Sequence, residues 1–246
     1  SRGTVEAEKV VFACHYPFPL IPGYYFSRMY QDRSYVVALC QAPSLEGMYL
    51  GIDNGGLSLR TTGQYLLLGG QGHRTGNPKN SPYETLASSA HYLFPESRVV
   101  CQWSAQDCIT LDSLPYIGRF SHKTSDWYIA TGFGKWGMTL SMVSALLLTD
   151  LICGYASPYE ALYSPLRFRL RASTPRLITH MAESSKGLLK GLVPGTMRCP
   201  HMGCRLSWNA AESTWDCPCH GSRFDRMGQL ITGPAQTPCR CHKLIP

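Results

Sequence analysis

The sequence predicts an α+β protein whose last part is organised around cysteine and histidine. Short strand-like segments separated by turn signals run from about residue 25 to residue 110 and enclose one helical segment. A strand, a glycine loop and an apolar helix then follow one another within residues 126–153. The last 50 residues carry closely spaced Cys and His side chains, a pattern typical of a metal-binding module.

The bulk composition is that of a folded protein. The chain has 246 residues, of which 44% are hydrophobic and 16% charged, so one large domain or two smaller ones can bury a core. The net charge is +7, but the sequence contains no nucleic-acid-binding motif. We therefore expect no nucleic-acid partner. The one local basic cluster is interpreted as part of a solvated linker. It consists of Arg167, Arg169, Arg171 and Arg176.

The sequence predicts no membrane span. The apolar stretch Leu140–Cys153 has about 14 residues and is interrupted by Asp150, whereas a bilayer crossing needs roughly 20. A buried helix is expected there. The chain starts with Ser-Arg-Gly and shows no signal-peptide pattern, so a cytoplasmic protein is expected. Five scattered cysteines are expected to be buried thiols rather than a disulfide framework. They are Cys14, Cys40, Cys101, Cys108 and Cys153.

The middle of the chain is predicted to form an antiparallel sheet with one helix against it. Two early strands are expected to pair with each other, and two later ones to form a hairpin around Thr62-Gly63. The helix is expected to end at Pro95. The predicted strands are Val5–Cys14, Tyr35–Gln41, Met48–Ile52, Leu57–Thr61, Gln64–Leu68 and Val99–Ile109, and the helix is Ser81–Phe94.

The segment Gly132-x-Gly134-x-x-Gly137 lies between a predicted strand, Asp126–Thr131, and a predicted helix that ends at Gly154. It matches the dinucleotide-binding fingerprint literally. That fingerprint also requires a second strand ending in an acidic residue about 20 positions later, and no strand leads into that region. A structural turn remains possible. The favoured interpretation is a helix N-terminus with free N–H groups at residues 136–139, directed at an anionic or electron-rich ligand.

Two short motifs dominate the end of the chain. Cys199-Pro-His201 and Cys217-Pro-Cys-His220 are separated by 15 residues. Two thiolates and two imidazoles suit an iron–sulfur cluster in which sulfur holds one iron and nitrogen the other, and neutral imidazoles raise the reduction potential. The same four residues could instead bind one zinc ion tetrahedrally. A disulfide staple is a further alternative.

Residues 1–163 resemble the C-terminal half of FAD-dependent oxidoreductases of the D-amino-acid/glycine oxidase type. The resemblance lies in the runs 103–107, 112–118 and 130–139, and in the strand Lys9–Cys14, which matches a strand that returns to the FAD domain. It implies FAD as cofactor. The family's N-terminal phosphate-binding glycine motif has no counterpart before residue 132, so we expect an N-terminally incomplete flavoprotein that needs the missing segment to hold FAD. The residues implied to lie along the isoalloxazine ring are Gly132, Phe133, Gly134, Lys135, Trp136, Gly137, Met138 and Thr139.

The two ligand motifs resemble the loops of a Rieske [2Fe-2S] domain. The resemblance implies that Cys199 and Cys217 ligate one iron and that His201 and His220 ligate the other. It also implies a disulfide, a hydroxyl that hydrogen-bonds a cluster sulfide, and a covering proline loop. These features correspond to Cys204–Cys219, Ser222 and Gly233–Ala235 respectively.

This sequence departs from the Rieske pattern in two ways. Phe224 stands where high-potential members often place a Tyr, so one sulfur hydrogen bond is kept and one is lost, and an intermediate potential is expected. Few residues precede the first ligand loop, which predicts a small, shortened all-β domain at residues 196–246 after a basic linker at 164–195. Near the carboxyl end, Cys239, Cys241 and His242 are interpreted as tail residues.

Together these features predict a flavin-dependent oxidoreductase that acts on an amine or similar small molecule. Electrons would pass between FAD and the cluster, and a redox partner protein is possible. Tyr49, Arg60 and Arg74 could bind a substrate carboxylate, although they could equally be structural. No catalytic base is identified. The alternatives are an electron-transfer module without its own substrate and a zinc-stabilised protein without enzymatic activity.

Overall fold

The computed structural model describes residues 3–53, 55–78, 80–167 and 169–239. They form an α+β structure with sheets of five, three and four strands. The large sheet has the strand order β3-β4-β5-β2-β6, and its neighbouring strands are antiparallel. Its strands are β2 (Met29–Cys40), β3 (Tyr49–Leu50), β4 (Ser58–Thr62), β5 (Tyr65–Arg74) and β6 (Arg98–Thr110).

Helix α1 (Pro82–Leu93) covers one face of the large sheet. Alternate residues of β2 point towards it, and Tyr35, Val37 and Leu39 are fully buried there with Leu86 of the helix. This arrangement confirms the predicted sheet with one helix against it. The period-2 alternation in β2 and the helical spacing of α1 produce the two complementary apolar surfaces.

Most of the predicted elements of this sheet are confirmed, including the β4–β5 hairpin around Gly63 and the helix that ends before Pro95. The predicted pairing of Met48–Ile52 with Tyr35–Gln41 is wrong. The strand in that region, β3, pairs with β4 instead. Both sides of β2 are already hydrogen-bonded, to β5 and to β6, so β3 can add only at the outer edge.

The three-stranded sheet joins a strand near the start of the chain to two strands at residues 116–131. β1 (Val10–Phe12) pairs in parallel with β8 (Thr124–Thr131), and β7 (Tyr116–Ser121) pairs antiparallel on the other side of β8. Helix α2 (Gly137–Cys153) packs on this sheet through Leu147 and Leu148. It ends at Gly154, as predicted. The sequence did not predict β7, whose interior Gly118 weakens the strand pattern.

The segment expected to be a linker contains structure. The short helix α3 (Glu160–Tyr163) ends directly before it, and it contains the 22-residue helix α4 (Leu170–Gly191). Arg167, expected to be solvated, is buried in an ion pair with Asp112, with 2.7 Å between Nε and Oδ2. Its guanidinium also donates to backbone carbonyls, so the positive charge is used inside the fold. Pro175 and the polar composition concealed α4 in the sequence.

The last sheet has the order β12-β11-β10-β9 and belongs to the cysteine- and histidine-rich part. Its strands are β9 (Ser207–Asn209), β10 (Thr214–Asp216), β11 (Arg223–Phe224) and β12 (Leu230–Thr232). The buried core beside it consists of five cysteines together with Leu206, Phe224 and Ala235. Cys239, expected in a tail, is buried in this core, while Cys241 and His242 lie outside the described residues.

Two expectations about apolar segments can be compared with the structure. In the described part of the chain, none of the helices combines the length and the hydropathy that a bilayer crossing requires. The expectation of buried scattered thiols is correct for Cys108 only. Cys101 and Cys153 are exposed, and Cys14 and Cys40 are half-buried.

Candidate cofactor sites

The two ligand loops lie side by side at the surface of the last sheet, and the structure brings the four expected ligands together in pairs. Cys199 and Cys217 are both buried, and their thiols are within hydrogen-bonding reach of each other. The imidazole rings of His201 and His220 lie with their centroids 4.9 Å apart. One loop therefore contributes one sulfur and one nitrogen, and the other loop contributes the same set.

The protonation states of the two histidines favour metal binding. The hydrogen bond from the Cys217 thiol lowers the pKa of Cys199, while that of Cys217 is raised. Burial lowers the pKa of His201 to about 4, and burial is also the main cause of the lowered pKa of His220. Both imidazoles are therefore neutral at neutral pH, which is the form that ligates metals.

Two buried nitrogen atoms also point to a metal. Nδ1 of His201 and Nδ1 of His220 are buried and have no hydrogen-bond partner among the described residues. A buried polar atom without a partner is costly unless something satisfies it. Two such atoms on neighbouring rings, nearly perpendicular at 83°, fit a ligand pair on one iron.

The pairing distinguishes a two-iron cluster from a single zinc ion. Tetrahedral zinc would hold its ligand atoms about 3.5 Å apart. Within the described residues, the one trio of potential ligand atoms that lies within 4.8 Å is Cys204, Cys217 and Cys219. The four expected ligands therefore do not converge on one point. Two separate pairs, thiols and imidazoles, suit a [2Fe-2S] core instead.

The surroundings of the loops agree with the predicted supporting residues. Cys204 and Cys219 form a disulfide that links the two loops. The hydroxyl of Ser222 is fully buried, accepts a hydrogen bond from the Ala235 N–H at 3.0 Å, and lies close enough to Cys199 to lower its pKa. Phe224 is fully buried and brings no hydroxyl to this site.

Helix α4 lies directly on the disulfide. A Cβ atom at Gly187 would lie 2.7 Å from the sulfur of Cys219, and one at Gly191 would lie 2.2 Å from the carbonyl oxygen of Gly203. The Arg205 N–H donates to the Gly187 carbonyl at 3.0 Å. The two glycines thus allow the helix backbone to approach the loops, and the segment predicted as a linker forms one wall of the site.

A buried ionic network joins the large sheet to the last sheet. Arg33 of β2 is fully buried and lies 3.8 Å from a carboxylate oxygen of Glu212 and 3.7 Å from one of Asp216. It also donates a hydrogen bond to Gln106. Asp216 accepts from Arg223 at 3.3 Å as well. Buried charges require such pairing, so the two parts of the chain are packed in a defined orientation.

The second candidate site is a cavity of about 310 Å³ that is lined by the glycine loop. Because β1 and β8 are parallel, their carboxyl ends meet at one edge, which is where α/β sheets bind ligands. Residues 13–15 lie on one side of this cavity and residues 130–135 and 137 on the other. Hydrogen bonds hold the two sides together: Thr131 Oγ1 and Cys108 Sγ both donate to the His15 carbonyl, at 2.8 and 2.9 Å.

The eight residues expected beside a flavin are not equivalent in the structure. Trp136 faces a different cavity, and Met138 and Thr139 lie exposed on the first turn of α2. The N–H of Trp136, expected to be free, donates to the Phe133 carbonyl at 3.0 Å. The other five residues line the 310 Å³ cavity. They are Gly132, Phe133, Gly134, Lys135 and Gly137.

The sequence did not reveal the residues that connect the ligand loops to the glycine-loop cavity. Gln31 of β2 is buried and donates from Nε2 to the carbonyl of His220 at 2.7 Å. Burial lowers the pKa of His15, and Gln31 lies close enough to that imidazole to oppose the shift. Arg74, considered for substrate binding, donates instead to the carbonyls of Pro218 and Cys219, at 3.0 and 3.2 Å. Only tertiary contacts identify these roles.

Comparison with known proteins supports both halves of this description. The family model described as "FAD dependent oxidoreductase" matches residues 1–151, and the model "Rieske [2Fe-2S] domain" matches residues 190–243. The chain is 36% identical over 285 residues to the Rieske 2Fe-2S iron-sulfur protein YhfW of Bacillus subtilis (strain 168). That alignment covers 98% of this chain and 56% of the relative. The chain thus spans about half the length of this relative.

Other known proteins resemble either the Rieske domain or the flavoprotein part of this chain. Cytochrome b6-f complex iron-sulfur subunit 1 of Nostoc sp. is 54% identical over 37 residues, which are 15% of this chain and 21% of that protein. Glycine oxidase from Geobacillus kaustophilus has a similar structure, with a TM-score of 0.58 and 24% identity over 68% of this chain and 47% of that one. Glycine oxidase from Bacillus cereus gives a TM-score of 0.53 at 22% identity, over 64% of this chain and 46% of that one. At these identities the structural matches establish the fold alone.

Proposed function

Because the chain belongs to the FAD dependent oxidoreductase family and also carries a Rieske [2Fe-2S] domain, we propose that it forms part of an enzyme that oxidises a small amine and moves electrons between FAD and the cluster. In this proposal Cys199 and Cys217 hold one iron, and His201 and His220 hold the other. When bound, FAD supplies two-electron oxidation by hydride transfer, and the cluster supplies one-electron storage.

The observation that carries this proposal is that Gln31 contacts both sites. Its amide donates to the carbonyl of His220, one of the four expected ligands, and lies close enough to His15, which lines the glycine-loop cavity, to act on the pKa of that imidazole. Tyr16, the neighbour of His15, places its ring 6.3 Å from the ring of His220. A single layer of side chains therefore separates the ligand loops from the glycine-loop cavity, which is a short distance for electron exchange.

The large sheet offers a place for the amine substrate. An open cavity of about 480 Å³ on this sheet is lined by Tyr49, Arg60, Trp103 and Trp136, among others. The guanidinium of Arg60 can form a two-pronged hydrogen bond with a carboxylate, and the aromatic rings provide apolar walls. Trp136 belongs to the glycine loop, so this cavity adjoins the proposed flavin position. An amine that carries a carboxylate fits these residues.

Electrons would leave the site on the side of His201. Among the four expected ligands, His201 is the one whose side chain is partly exposed, whereas Cys199, Cys217 and His220 are buried. A redox partner protein could approach the cluster there. The two electrons released when an amine becomes an imine would pass this point one at a time, or enter by the same route in the reverse direction.

The proposal can be tested on the full-length natural protein, purified without oxygen. We expect two irons and two sulfides per chain, bound FAD, and the absorption spectrum of a Rieske centre. Addition of glycine, N-methylglycine or D-alanine without oxygen should bleach the flavin and then produce the paramagnetic signal of the reduced cluster. An Arg60→Gln variant should raise the substrate concentration needed, with unchanged cofactor content.

Two outcomes would contradict the proposal. A colourless protein that contains zinc would favour the zinc-stabilised alternative. A loaded cluster that takes electrons from a chemical reductant, but from no amine in the series, would favour an electron-transfer module without its own substrate.

A further inference from the structure

The second ligand loop is held by side chains of the large sheet, in addition to its own backbone hydrogen bonds and the disulfide. Four consecutive backbone carbonyls of this loop accept hydrogen bonds from three side chains of the large sheet. Arg74 donates to Pro218 at 3.0 Å and to Cys219 at 3.2 Å, Gln31 donates to His220 at 2.7 Å, and Gln106 donates to Gly221 at 3.0 Å. The first ligand loop has no comparable set among the described residues.

Arg74 is the one charged side chain of these three, and it is itself fixed. Its guanidinium carbon lies 4.8 Å from the centre of the Tyr30 ring, and Nη2 lies 2.8 Å from Nδ1 of His180 on α4. A guanidinium can only donate, so Nδ1 of His180 accepts. Nε2 of His180 then carries the proton and donates to the Phe26 carbonyl at 2.8 Å. Arg74 therefore has one defined position beside the loop.

We propose that Arg74 is a positioning residue of the cluster site and that its charge stabilises the reduced cluster. Through Arg74, the flavoprotein part of the chain influences the reduction potential of the cluster in the Rieske domain. The carbonyls bonded by Arg74 belong to the two residues between Cys217 and His220, so the charge lies directly behind a ligand pair. This inference rests on the proposed function, because it requires the cluster to bind at these ligands.

The physical reason is electrostatic. A reduced [2Fe-2S] cluster carries one more negative charge than the oxidised form, so a nearby positive charge favours reduction. The partly buried position of Arg74 weakens solvent screening of its charge. The neutral amides of Gln31 and Gln106 orient the same loop without adding a charge.

The test is a potentiometric titration of the cluster in the full-length, cluster-loaded protein, followed by the paramagnetic signal of the reduced form. Arg74→Gln removes the charge, and Arg74→Lys keeps the charge but loses the fork geometry. Arg98→Gln is the matched control, because it removes an exposed Arg of the same sheet. Arg98 pairs with Cys40 while Arg74 pairs with Asp32, eight residues away along β2 or roughly 27 Å.

We expect the Arg74→Gln cluster to be at least tenfold more oxidised at the wild-type midpoint, a shift of about 59 mV to lower potential for a one-electron couple. Arg74→Lys should lie between this variant and the wild type, and Arg98→Gln should match the wild type. A loaded Arg74→Gln cluster with the wild-type potential would overturn the inference. If Arg74→Gln fails to load, a drop of about 59 mV or more in Arg74→Lys, which keeps the charge, overturns it. Failure of the wild-type protein itself to bind a [2Fe-2S] cluster would instead refute the proposed function.

Discussion

The two ligand loops have the same residue types but different surroundings. Both loops are closed by equivalent backbone hydrogen bonds, from the Cys199 N–H to the Cys204 carbonyl at 2.8 Å in the first and from the Cys217 N–H to the Ser222 carbonyl at 2.9 Å in the second. Within the described residues, the second loop alone also accepts hydrogen bonds from side chains of the large sheet. In the first loop, His201 remains partly exposed. The loop at residues 217–222 is mostly buried against the large sheet, with His220 only 3% exposed.

This difference assigns different tasks to two chemically identical histidines. His220 is buried and its backbone carbonyl accepts a hydrogen bond from Gln31, so its position depends on residues far away in the sequence. His201 faces outward and depends on its own loop. In the proposed enzyme, the inner histidine lies on the side of the flavin and the outer one on the side of the redox partner.

The largest expected effect comes from removing a buried sulfur of the inner loop. Cys217→Ser should abolish the cluster, because a serine hydroxyl does not replace a thiolate as an iron ligand. Iron and sulfide content and the visible spectrum would measure this loss. Cys153→Ser is the control, because Cys153 is an exposed thiol at the end of α2. A full cluster in the Cys217→Ser protein would disprove the ligand assignment.

The next effect tests how tightly the inner loop is packed on the sheet. Gly76 has φ +82°, and a Cβ there would lie 2.3 Å from the backbone nitrogen of Pro218. Gly76→Ala should therefore lower the free energy of unfolding by about 4 kcal/mol, from backbone strain and overpacking together. Gly63 also has positive φ, at +55°, but has no neighbour within 4 Å. Gly63→Ala should cost only about 1 kcal/mol in the same denaturant titration. Equal losses would mean that the close contact between sheet and loop contributes nothing.

The disulfide joins the two loops, and its removal should be the third largest effect. Cys204 and Cys219 are 15 residues apart, and closing a loop of that size stabilises a fold by about 3 kcal/mol. Cys204→Ser should lose about this amount in denaturant unfolding. A reductant should destabilise the wild-type protein in the same way and leave the variant unchanged. A variant that still responds to reductant would indicate a different source of the stabilisation.

The smallest effect concerns the hydrogen bonds to sulfur. Ser222→Ala should lower the reduction potential by about 60 mV, because one hydrogen bond to the more negative reduced state is lost, worth about 1.4 kcal/mol. Phe224→Tyr should shift the potential in the opposite direction if its new hydroxyl reaches a ligand sulfur. Both are read in one potentiometric titration. Unchanged potential in Ser222→Ala would remove Ser222 from the cluster environment.

Local patterns predicted much of the structure. The hairpin at Gly63, the helix end before Pro95 and the helix that stops at Gly154 each follow from a few neighbouring residues. The ligand pairs were equally visible, because Cys and His at fixed spacing have few other uses. These features depend on short-range chemistry, which a sequence displays directly.

The features that the sequence concealed depend on contacts between distant residues. Helix α4 has polar composition and an internal Pro175, and its environment against the disulfide explains why it is ordered. Arg74 and Gln31 are ordinary strand residues until the fold places them beside residues more than 140 positions later in the chain. Arg167 was assigned to solvent because its partner, Asp112, lies 55 positions earlier.

The bonds from Arg74, Gln31 and Gln106 to the inner loop also constrain how this protein can change over generations. Recombination cannot simply replace the iron-binding domain of this chain with another Rieske sequence. A replacement would keep these hydrogen bonds only if its loop had the same length and path, so that its carbonyls lay opposite Arg74, Gln31 and Gln106, and if its surface left room for helix α4 at Gly187 and Gly191. The two parts are therefore expected to be inherited together, with positions 31, 74 and 106 retained where the second loop keeps its length.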